Sequence, residues 1–107
     1  MFVVTVDQQG SRRSTDQVPA LLSGLPHLDG LLLPFERTVG DEVQAVLDDP
    51  ASTVEVALHL LRLGGWSVGI GAGPVLEPLP ASTREASGAA FIAAREAVEA
   101  AKSRGRP

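Results

Sequence analysis

Short β-branched and apolar runs alternate along this chain with longer segments of helical spacing, and the breaks between them carry glycine, proline or acid. Phe2-Val3-Val4-Thr5-Val6 is too short and too β-branched for a helix, so residues 2–7 are expected to form a central strand ending at Asp7. A polar loop with Gly10 follows. Thr15 is then expected to cap a short helix over 16–22 or 16–25, with Pro19 in its first turn and Gly24 and Pro26 ending it. Leu31 to Arg37 reads as a strand whose Pro34 suggests an edge or a bulge. Glu42 to Leu47 reads as its returning partner, with Val43, Ala45 and Leu47 on one face. Gly40-Asp41 forms the tip of the hairpin between them.

Asp49-Pro50 is a helix start, with Asp at the N-cap and Pro in the first turn. The helix is expected over residues 50–63, with Val54, Ala57, Leu58 and Leu61 as its buried stripe and Gly64-Gly65 as its stop. A glycine-rich strand is expected over 66–75, then a proline-rich loop. Ser82 and Glu85 read as a capping box for a last helix reaching about Lys102. Its buried side would be Ala90, Phe91, Ala94, Val98 and Ala101, with 103–107 a disordered basic tail. The order βαββαβα in 107 residues predicts a single ferredoxin-like α+β domain, an antiparallel sheet with helices packed on one face.

Composition narrows the chemistry. A net charge of −4 disfavours direct nucleic-acid binding. With no Tyr and only Phe2, Phe35, Trp66 and Phe91, the chain lacks the stacking surface of an RNA-reading sheet. The absence of cysteine excludes disulfides, thiolate metal sites and a cysteine nucleophile. Neither a leader pattern nor an apolar run of membrane length is seen, so a cytoplasmic location without membrane contact is expected.

Four groups of residues remain as candidate chemistry. Asp7 and Asp41 lie at strand ends that a ferredoxin-like sheet brings to one edge, and hard oxygen donors there suit Mg²⁺ or Mn²⁺. The plain alternative is turn chemistry. Ser11, Arg12 and Arg13, beside that edge, suit a phosphate, or are solvated loop charges. The series Gly69-Ile70-Gly71-Ala72-Gly73-Pro74 lacks the following helix of a dinucleotide fingerprint, so it reads as a strand closely approached on one face. Arg95 is expected to pair with Glu99 one turn later.

These positions together resemble the SatD-like proteins of bacteria. The matching elements are the strand ending in Asp7, Ser11-Arg12, the hairpin from Phe35 to Gln44, Gly69-Ile70-Gly71, and the helix from Gly88 to Ala97. That family is in turn similar to the class III nucleotide cyclases and the GGDEF-type diguanylate cyclases. In the cyclases one metal-binding Asp ends the first strand and another follows Gly at the hairpin, as Asp7 and Asp41 do here. Residues 71–75, Gly-Ala-Gly-Pro-Val, and Ala93-Ala94-Arg95 are similar to a cyclase strand and helix.

The chain departs from those enzymes at Val39-Gly40-Asp41-Glu42-Val43, where a second glycine is missing, and it lacks their later strands. The resemblance thus implies a regulatory domain that binds a divalent metal at Asp7 and Asp41 and a nucleotide-like or phosphate ligand through Ser11, Arg12 and Arg13, without catalysis of its own. Two other readings stay open: a nucleotidyl-transfer enzyme acting as a homodimer, and a structural oligomerisation domain. The many SatD-like proteins that continue into a helical region raise the expectation that 1–107 is a short version or a fragment.

Overall fold

A computed structural model describes residues 1–10 and 15–104. The elements run β1 (Phe2–Gln8), α1 (Val18–Ser23), β2 (Leu31–Arg37), β3 (Glu42–Leu47), α2 (Pro50–Leu63), β4 (Trp66–Ala72), a 3₁₀ turn (Thr83–Glu85) and α3 (Ala89–Arg104). The strands form one antiparallel sheet in the order β2-β3-β1-β4, the ferredoxin-like arrangement expected from the sequence. β1 is central, as its β-branched run predicts. β2 is an edge strand, and its pairing with β3 shifts on either side of Leu33, next to Pro34.

Alternation along the strands builds two cores, one on each face of the sheet. Val4, Val6, Val43, Ala45 and Leu47 pack with Val18 and Leu21 of α1 and Val56 and Leu60 of α2. Val3, Leu33 and Val46 on the opposite face pack with Ala90, Phe91 and Ala94 of α3. The helices therefore do not all share one face: α1 and α2 cover one side and α3 the other. Glycine makes the second layer possible. Gly69 and Gly71 point at α3, and a Cβ on either would fall within the backbone of Ala90, Ala94 or Val98. The glycine-rich strand is thus a close-approach strand, as its pattern implies.

Several local expectations need correction. The inner side of α2 is Ser52, Thr53, Val56, Ala57 and Leu60, whereas Val54, Leu58 and Leu61 face outward. Both sides of that helix are apolar, so periodicity alone does not choose between them. The N-cap of α2 is as expected: Asp49 accepts a hydrogen bond from the Ser52 amide at 3.3 Å. At α1, Thr15 is not the cap. Gln17 holds that position, and Asp16 Oδ1 accepts from the Val18 amide at 3.1 Å. The Ser82–Glu85 pair frames only the 3₁₀ turn, with no side-chain cap bond. Gly88, at φ 136, separates that turn from α3. Finally, Ser103 and Arg104 belong to α3 rather than to a loose tail, and β4 stops at Ala72.

Candidate functional site

The face of the sheet under α3 grades from apolar to acidic. Antiparallel pairing sets Val3 beside Val46 and Gly71, then Thr5 beside Gln44 and Gly69, then Asp7 beside Glu42 and Ser67. The middle row closes on itself, since Gln44 Nε2 donates to Thr5 Oγ1 at 3.0 Å in the interior. The last row is two buried carboxylates on neighbouring strands. Asp41, in the turn beside them, is near enough that its charge acts on Asp7. The sheet therefore does bring Asp7 and Asp41 to one edge, and it adds Glu42, directly opposite Asp7 on β3.

α3 answers that gradient. Phe91, Arg95, Val98 and Lys102 follow the i, i+4, i+7, i+11 spacing of one helical stripe. Lys102 Nζ lies 3.3 Å from Asp7 Oδ2 and 3.4 Å from Glu99 Oε1. Arg95 Nη2 lies 3.0 Å from Glu42 Oε1, which also accepts from Thr38 Oγ1 at 2.6 Å. Arg95 thus crosses to the sheet instead of pairing with Glu99. The local spacing rule gives way to a buried acid, whose ionised form needs a partner more than an exposed one does.

Burial pushes the Asp7 carboxyl above its usual value, Lys102 pulls it back, and Asp41 and Glu42 push it up again; the net direction is up. Burial works against the Lys102 ammonium, but Asp7 and then Glu99 outweigh it and hold Lys102 above its usual value. Asp7 and Asp41 carry the oxygen donors that Mg²⁺ or Mn²⁺ prefers. As the chain stands, Asp7 is already bonded to an ammonium group, so these residues do not form a ready-made cation seat.

Beside the acid edge, α3 lies chiefly over β4 and β1 and leaves the hairpin end of β2 and β3 open. A cleft of 640 Å³ lies there, between α3, the 3₁₀ turn and the sheet. Its walls include Thr38, Glu42 and Gln44 from the hairpin, Arg84 from the turn, and Phe91, Ile92 and Arg95 from α3. Arg84 is fixed by its backbone, whose N–H donates to Glu36 Oε1 at 2.7 Å. The 3₁₀ turn itself is tied to β2 by Thr83 Oγ1, which donates to the Pro34 carbonyl. At the start of α3 the Ala90 amide donates to Pro74 O and the Phe91 amide to Gly88 O, so these two donors are satisfied within the fold, and the charged groups in the cleft walls are Arg84, Arg95 and the Glu42 carboxylate that Arg95 pairs with.

Ser11, Arg12 and Arg13 lie outside the described residues. Arg84, Lys102 and Glu42 are the site residues that sequence reasoning missed, and Arg95 is the one to which it gave the wrong partner. The stripe through Arg95 and Lys102 was legible as two basic positions seven apart; the acids that they face were not. No family model, curated protein or solved structure matches this chain.

Proposed function

We propose that the domain is a regulatory ligand-binding module without catalysis of its own, and that its site is the cleft between α3, the 3₁₀ turn and the hairpin. The ligand class is a phosphate ester with a flat or apolar body, a nucleotide above all. One observation carries this reading: the same cleft combines Arg84 and Arg95 with the apolar Leu76, Phe91 and Ile92. Arginine presents paired N–H groups that match phosphate oxygens, and the apolar wall suits a base or comparable ring. The cleft volume of 640 Å³ lies within the range of small-molecule sites. The reading carries with it a cytoplasmic location, and kinship with SatD-like and cyclase-like domains would fit it.

A second reading puts Mg²⁺ or Mn²⁺ between Asp7 and Asp41, with Ser11, Arg12 and Arg13 holding the phosphates. The pairing of Asp7 with Glu42 across β1 and β3, with Asp41 in the adjoining turn, favours it, though among the described residues no group of three acids is placed to hold a metal ion. The ion then has to displace the Lys102 ammonium.

Thermal melting with a panel of nucleoside triphosphates, in EDTA and in Mg²⁺ or Mn²⁺, separates the two. Ligand at 100 times its Kd stabilises by about 2.7 kcal/mol, a rise of roughly 10 °C or more for a domain of this size. The cleft reading expects a rise in EDTA that Arg84→Ala removes. A rise that needs metal and disappears in Asp41→Asn instead supports the second reading. No rise with any nucleotide defeats both and leaves a structural domain. Pyrophosphate release above an Asp7→Asn control would make the protein an enzyme.

A further inference from the structure

The outer side of α2 is as apolar as its inner side. Val54, Leu58 and Leu61 form one stripe and are 54%, 44% and 56% exposed. A helix apolar on both sides belongs in an interior, and a contiguous apolar surface marks a contact site. The flank of the stripe tells what covers it. Glu55 and Arg62 both stand on the same side of the stripe, two turns apart, and both are exposed. Neither has an ion-pair partner among the described residues.

That arrangement is self-complementary. Lay a second α2 antiparallel across the first, about a two-fold axis between Leu58 and His59. Each Glu55 then faces Arg62 of the other copy, and the two Leu58 side chains meet at the axis. The rotation keeps each flank on its own side of the interface, so both charge pairs form together. In a parallel pair the charged flanks fall on opposite sides and neither forms. We infer that α2 is a dimer interface of this chain, built from antiparallel α2 helices with reciprocal Glu55–Arg62 pairs. One helical stripe is smaller than the roughly 800 Å² per partner of a standard stable interface, so the dimer is a weak one. The inference is independent of what the cleft binds.

Sedimentation equilibrium from about 10 µM to 1 mM tests it. The native chain is expected to dimerise, and Leu58→Glu, at an exposed position that leaves the fold intact by circular dichroism, to be monomeric. Glu55→Arg and Arg62→Glu should each weaken the dimer several-fold, and the double exchange should restore it. The chain has no cysteine of its own, so single cysteines report geometry cleanly. Leu58→Cys should cross-link on oxidation. Val54→Cys should not, because the two positions lie about 13 Å apart along antiparallel helices, beyond the reach of a disulfide. A monomer at every concentration would assign the stripe to a different chain and overturn the inference. A dimer indifferent to Leu58→Glu, or a double exchange that fails to restore it, would overturn it as well.

Discussion

Asp7 and Asp16 each face a basic side chain, yet their protonation runs in opposite directions. Asp16 is exposed and bonded to Arg37 at 2.6 Å, and that bond, with one from the Val18 amide, holds its carboxyl below the usual value. Asp7 is buried, and burial outweighs Lys102 to hold it above. A lowered carboxyl stabilises the fold above its unfolded pKa, and that stability is lost as pH falls through the folded value. A raised one favours the fold in acid, and that contribution disappears as pH rises through the folded value. Asp7→Asn should therefore gain on the native chain as pH climbs from 3.8 towards neutrality, whereas Asp16→Asn should be at its full disadvantage above 3.8 and recover it as pH falls below that value. Urea melts from neutrality down to about pH 2 check both slopes. Lys102→Ala should cost about 1–2 kcal/mol at pH 7, a value reduced for the partial exposure of Lys102. That cost should shrink in acid, where Asp7 takes up a proton. At this scale the sequence reading singled out Asp7 but not its partner Lys102. Lys102 is 95 residues from Asp7, and no local rule reports on such a distance.

Among the elements, β2, β3 and α2 have the bounds their sequences predict, because each is delimited by local chemistry: Pro34 at an edge, Gly40 in the turn, Asp49-Pro50 and Gly64 at the helix ends. Where two signals compete, the reading fails. Ser82 and Glu85 look like the start of α3, but Gly88 lets the chain turn and delays the helix to Ala89. On α2 the exposed stripe is the more hydrophobic one, whereas the buried side includes Ser52 and Thr53. A dimer contact written into the sequence looks the same as a core. Two substitutions test the elements in denaturant melts. Asp49→Ala removes an N-cap bond and should cost about 1 kcal/mol. Gly71→Ala drives a methyl into the α3 backbone and should cost at least about 2 kcal/mol. A Gly71→Ala variant of native stability would mean that α3 does not pack where it is described.

For the whole molecule, the last element, α3, matters most. The ferredoxin-like sheet was legible because its element order leaves few ways to bury the stripes. The side taken by α3 was not legible, since it depends on Gly69 and Gly71 admitting a helix against their bare face. By lying there, α3 does two things at once. It sets Arg95 and Lys102 over Glu42 and Asp7, and with the 3₁₀ turn it makes a cleft from what would otherwise be an open sheet. The account's central claim is that this cleft is the binding site. The most direct test is a ¹H–¹⁵N spectrum of the chain titrated with a nucleoside triphosphate in EDTA. The account predicts saturable shifts at Arg84, Ser87, Gly88, Phe91, Ile92 and Arg95, with the outer residues of α2 unmoved. Shifts confined to the Asp7–Asp41 edge and its following loop, or no saturable shift at all, would contradict it.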